Sequence, residues 1–110
     1  MDIIKLNGDN FEETLSTRGV TAAVDFYAER CGASRMLRRV FSQCAKEHPE
    51  ILFCSVNADN EEELAYESGV NVFPTVILYE SGREVARQEG LCGKQILDEL
   101  FLKSLDDDLR

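Results

Sequence analysis

Three observations predict an α/β fold, with a central mixed sheet flanked by helices. Short apolar segments alternate with amphipathic ones, turn residues separate them at close intervals, and the resulting order is βαβαβαββα. The 110 residues are expected to form one domain, 1–110, because no repeat, low-complexity stretch or linker divides them.

Each element has its own signal. Residues 3–6 form a short strand, and Asp9 or Asn10 caps a helix that carries Phe11 and Leu15 on one face until Gly19. Residues 20–27 are small or β-branched and apolar apart from Asp25, as in a buried strand. From 34 to 47, Leu37, Val40, Phe41 and Cys44 recur at helical spacing, with Arg35, Arg38, Arg39 and Lys46 opposite, and Pro49 ends the helix. Residues 51–56 read as a strand, and Asn60 caps an acidic helix over 61–68 that Gly69 closes. Strands over 75–79 and 83–88 flank Ser81-Gly82 as an antiparallel hairpin. Ile96, Leu97, Leu100, Phe101 and Leu105 give the apolar stripe of a last helix.

Composition narrows the function. With 44% hydrophobic and 30% charged residues the chain can bury a modest core. Twelve basic residues against twenty-one acidic ones leave a net charge of −9, which repels nucleic acid and anionic lipid. The start, Met1-Asp2-Ile3-Ile4-Lys5, lacks a basic or apolar signal segment, and the longest apolar run, 72–79, is broken by Pro74 and Thr75. A soluble cytoplasmic protein that needs no membrane, and is a monomer, is the expectation. Cysteines at 31, 44, 54 and 92 make no C-x-x-C pair and no disulfide framework, so reduced thiols are expected.

Cys31 lies between a buried strand and a long amphipathic helix, in Glu29-Arg30-Cys31-Gly32-Ala33-Ser34. A helix amino terminus, with Arg30 and Arg35 nearby, stabilises a thiolate, the nucleophilic form. The alternative is a small buried hydrophobe. Loops at the carboxyl ends of parallel strands are, however, where α/β proteins place their sites.

Around this cysteine, Val24-Asp25-Phe26-Tyr27-Ala28, Val56-Asn57-Ala58-Asp59, Phe73-Pro74-Thr75 and Gly90 stand at spacings that resemble the thioredoxin family over nearly the whole chain. The resemblance implies the thioredoxin fold and a thiol-disulfide oxidoreductase acting on protein or small-molecule disulfides. It implies that Cys31 is the attacking thiol and that Arg30, Gly32, Ala33, Phe73, Pro74 and Gly90 form the substrate surface. Pro74 is then cis, and the Phe73 backbone pairs with an extended peptide by strand addition; a strand-start proline is the other reading. Asp25 is implied to be the buried acid that assists the second cysteine, with Ser55 where the family often has a lysine. An aspartate hydrogen-bonded inside the fold is the alternative.

Three departures bear on mechanism: Arg30 replaces the usual tryptophan, Ala33 the usual proline, and Ser34 the resolving cysteine. A dithiol enzyme frees itself when its second thiolate attacks the mixed disulfide. Serine cannot do so, although its hydroxyl can donate to the Cys31 thiolate. The chain is therefore expected to act as a monothiol, whether the serine is native or was introduced to trap mixed disulfides. Cys44, roughly 20 Å along the helix from Cys31 at ~1.5 Å per residue, is too far to replace it. Cys54 is expected to be buried; Cys92, two residues after Gly90, is a possible alternative thiol or an exposed bystander.

Arg30, Arg35, Arg38 and Arg39 put four positive charges into ten residues of an acidic chain, a patch suited to carboxylates or to a solvated helix face. His48 has no cysteine at metal-ligand spacing, so neither a metal site nor a cofactor is expected. The expected partners are disulfide-bearing substrate proteins, with thioredoxin reductase or glutathione as possible electron donors. A noncatalytic peptide-binding module and a glutathione-dependent iron-sulfur carrier are the competing readings.

Overall fold

The computed structural model describes residues 3–108, with side chains described through residue 103. The elements run β1 (Ile4–Lys5), α1 (Phe11–Leu15), β2 (Thr21–Tyr27), α2 (Gly32–Glu47), β3 (Leu52–Asn57), α3 (Glu62–Glu67), β4 (Thr75–Glu80), β5 (Arg83–Glu89) and α4 (Lys94–Asp108), the predicted order. One five-stranded sheet has the spatial order β1-β3-β2-β4-β5. β1, β3 and β2 pair in parallel, and β4 and β5 join antiparallel.

Two cores form because successive strand residues point to opposite faces. Val24 and Phe26 pack with Leu15, Val56, Ala65 and Ile77 on the side of α1 and α3. Ala23 packs with Leu37, Phe41, Phe53, Val76, Leu97 and Phe101 on the side of α2 and α4. Phe26, Phe41 and Phe101 are fully buried, each stabilising the fold by roughly 1.5–3 kcal/mol. Phe53 lies edge-on to both Phe41 and Phe101, with ring centroids 5.0 and 5.3 Å away.

Several element ends differ from the sequence reading. α1 stops at Leu15, well before Gly19, and Asn10 makes no side-chain cap bond. Its Oδ1 instead accepts from the Asn7 N–H and its Nδ2 donates to the Lys5 carbonyl, so the loop satisfies itself first. Asn60 does not cap α3: the Asn57 carbonyl accepts the N–H groups of both Asn60 and Glu61, and this turn delays the helix to Glu62. Ile96 is 42% exposed because the buried stripe of α4 is centred on Leu97, Leu100 and Phe101. Leu105 lies outside the residues whose side chains are described.

The β4–β5 hairpin turns at Ser81 and Gly82, both with positive φ, as a tight turn compatible with strand twist demands. A β-carbon on Gly82 would lie 3.1 Å from the Ser16 Cα, a tight approach that adds to the positive φ in favouring glycine.

Candidate active site

Cys31 occupies the N-cap position of α2, with Gly32 the first helical residue. The loop carrying it is pinned: Cys31 N–H donates to the Ala28 carbonyl at 3.2 Å, Glu29 N–H to Asp59 Oδ2 at 2.9 Å, and Asn57 Nδ2 to Glu29 Oε1 at 2.7 Å. The sulfur thus sits at the carboxyl end of a central strand, partly exposed.

The protonated thiol donates to the Phe73 carbonyl at 3.6 Å. The ionised form is favoured: the Ser34 backbone N–H, then the Ser34 hydroxyl, hold the thiol below its ordinary value, with Ala33 N–H and Arg35 adding to the effect and burial opposing it. Ser34 is fully buried, and its Oγ accepts from Ala28 N–H at 3.2 Å, which leaves its proton for the sulfur. Arg30 is exposed and does not contribute to this shift, contrary to the electrostatic role expected for it. The helix start and the serine do what the sequence reading shared with that arginine.

Phe73-Pro74 is a cis peptide. Beside it, Gly90 at φ +87° donates its N–H to the Pro74 carbonyl at 2.7 Å, tying the end of β5 to the same surface. Cys31, Gly32, Ala33 and Ser34 are contiguous at the head of α2, and the Cys31–Phe73 contact joins them to Pro74 and Gly90.

Asp25 is buried on the α2 side of β2, and its Oδ1 has no hydrogen-bond partner among the described residues. The alternative of an aspartate hydrogen-bonded inside the fold does not hold for this oxygen. Burial pushes its carboxyl up to about 7, while Arg38 opposes the rise. Asp25 pairs in register with Ser55, and Ser55 with Lys5. Those three residues and Arg38 line a cavity of about 360 Å³. The missing lysine on β3 does not leave the acid without a cation, since the guanidinium of Arg38, 4.3 Å from the centre of the Tyr27 ring, supplies positive field from α2. Sequence reasoning missed this arrangement because it rests on three elements meeting.

All four cysteines are free thiols. Cys54 is buried and its thiol is pushed up to about 12; Cys44 is buried too and rises to about 11, through burial first and Asp98 second. Cys92 is half-buried against the α2/α4 core rather than fully exposed, and burial raises its thiol. Among the described residues no cluster of His, Cys, Asp and Glu is arranged to hold a metal, and no helix is long and apolar enough to cross a membrane.

A parallel-antiparallel sheet of this order, with a thiol heading the helix after its second strand, defines a disulfide oxidoreductase scaffold. The chain belongs to the thioredoxin family, whose model matches residues 2–103. It is 36% identical over 98 residues to a thioredoxin of Chlamydia pneumoniae, covering 89% of this chain and 94% of that one. A thioredoxin of Mycoplasmoides gallisepticum is 31% identical over 95 residues, covering 86% and 94%. The solved structure of Fasciola hepatica thioredoxin superposes with a TM-score of 0.86 at 30% identity, covering 92% of this chain and 98% of that one.

Proposed function

We propose that this thioredoxin-family oxidoreductase works as a monothiol, with Cys31 the sole attacking sulfur and Ser34 its hydrogen-bond donor. The observation that carries this reading is the Cys31 sulfur, partly exposed beside the Phe73 carbonyl and stabilised as thiolate by the Ser34 N–H and hydroxyl. The thiolate attacks one sulfur of a partner disulfide, a Cys31–partner disulfide forms, and the other partner sulfur leaves as thiolate. No neighbouring thiol at position 34 can reverse the capture, so an external thiol, from glutathione or a reductase-coupled dithiol, attacks the mixed disulfide and returns Cys31 to its starting state. Partners are proteins that carry accessible disulfides, met by a monomer in the cytoplasm.

Exposure to glutathione disulfide, followed by intact mass and peptide mapping, tests the assignment. One glutathionyl adduct confined to Cys31 is expected; an unmodified Cys31, or modification spread equally over Cys92, overturns it. Ser34→Cys supplies the resolving thiol and is expected to confer multiple turnovers with thioredoxin reductase. Persistent single-turnover behaviour in that variant favours a binding module.

A further inference from the structure

Gly32, Arg35, Met36 and Arg39 stand at i, i+3, i+4 and i+7 of α2, a spacing that places them on one face. They line an open cleft of about 350 Å³ that begins one residue from Cys31. Met36 is 60% exposed there, an apolar side chain on the face that carries the two arginines. Arg35 is held over Gly32: its Nη1 donates to the Glu29 carbonyl at 3.0 Å, and its Nη2 lies 3.9 Å from where a Gly32 β-carbon would be. Arg30, Arg35 and Arg39 are all exposed and form no ion pair among the described residues. On the same loop, the Glu29 carboxylate accepts from the Asn57 amide rather than from these arginines.

Arg30, Arg35 and Arg39 make a local excess of positive charge around the first two turns of α2 on a chain of net charge −9. Self-repulsion disfavours such a cluster, and carboxylates arriving from outside relieve it. Arginine is suited to this, because its planar fork receives a carboxylate through two donors. We propose that this face of α2, with Arg30 beside it, docks the acidic flank of a disulfide-bearing protein segment, so that Cys31 selects cysteines neighboured by glutamate or aspartate. The inference rests on the exchange chemistry proposed above and names its substrate class.

Three synthetic peptides test it, identical except for two residues flanking one cysteine, which are glutamate, glutamine or lysine. Each cysteine is activated as its thiopyridyl disulfide. The Cys31 thiolate attacks the peptide sulfur, the Cys31–peptide disulfide forms, and thiopyridone leaves with the electron pair of the broken S–S bond, so its absorbance reports the rate. At low ionic strength the glutamate peptide is expected to react about tenfold faster than the lysine peptide, with glutamine between, and the spread should shrink with added salt. The glutamate-to-glutamine ratio within one protein cancels any change in thiolate fraction. Arg30→Gln/Arg39→Gln, which leaves only Arg35 on this face, is expected to cut that ratio by at least about half, whereas Arg18→Gln/Arg83→Gln, which removes the same charge elsewhere, leaves it intact. Equal rates for the three peptides, or a preference undiminished by loss of Arg30 and Arg39, overturn the proposal while leaving exchange chemistry in place. Failure of every peptide to react overturns the exchange reading instead. Anisotropy of the labelled peptides on Cys31→Ala then decides the surface alone: tighter glutamate binding supports it, equal binding refutes it.

Discussion

Asp25 keeps its proton to about pH 7 in the folded chain, whereas an unperturbed aspartate loses it near about 3.9. Between those values the unfolded state has released a proton that the native state retains, so this residue's effect is to lower stability as pH rises from about 4 to about 7. Above that range the penalty is constant. Asp25→Asn is therefore expected to stabilise the fold at pH 8 by on the order of 4 kcal/mol, and hardly at all near pH 4. Denaturant titrations at the two pH values check this; an equal gain at both would show that charge burial is not the cause. The thiols differ in the same logic. At neutral pH iodoacetamide is expected to label Cys31 at least about tenfold faster than Cys44 or Cys54, whose burial disfavours the thiolate. Peptide mapping over time reads the order directly.

Helix α4 is fastened to the end of α2 by charges as well as by its apolar stripe. Lys94 Nζ, in α4, pairs across to Glu47 Oε1 at the end of α2 at 2.5 Å and within its own helix to Asp98 Oδ2 at 2.8 Å, and His48 Nε2 lies 2.9 Å from Asp98 Oδ1. Burial works against the Asp98 anion, yet Lys94 and His48 together hold its carboxyl below the ordinary range. The His48 ring also stands edge-on to Phe101, 5.3 Å between centroids. Asp98→Ala is expected to cost about 1 kcal/mol, a modest figure because the group is a third exposed and screened. Gly82→Ala strikes the hairpin instead, and about 1–2 kcal/mol of backbone strain is expected before any displacement of Ser16. Thermal unfolding of both variants measures these costs, and a neutral Gly82→Ala would contradict the turn described.

Over the whole molecule, repulsion among twenty-one acids and twelve bases outweighs the few ion pairs, so moderate salt at neutral pH is expected to raise the melting temperature. A fall with salt would mean that specific pairs dominate. The order of elements is legible in the sequence because strand and helix periods differ, and Gly and Pro mark most joints. The reactive position of Cys31 is legible for the same reason, since a strand-to-helix junction can be read from local pattern. Helix starts are less so: Asn60 has good capping chemistry, yet the Asn57 carbonyl claims that turn. Ile96 fits an apolar stripe as well as Leu97 does, and only the packed sheet decides between them. The cavity shared by Asp25, Ser55, Lys5 and Arg38 depends on strand register and on an approaching helix. The α2 cleft is different, because the spacing of Gly32, Arg35, Met36 and Arg39 already contains it.

The two outer strands carry a further consequence. β1 pairs through just two residues, and β5 presents Arg83, Glu84, Arg87 and Glu89, with Arg87 folded back onto Glu84 and the carbonyls of Ser68 and Gly69. One rim is too brief to nucleate a ladder, and the other confronts any identical newcomer with charge that must be stripped of water. Crowded copies consequently lack a template for fibrillar growth along either margin.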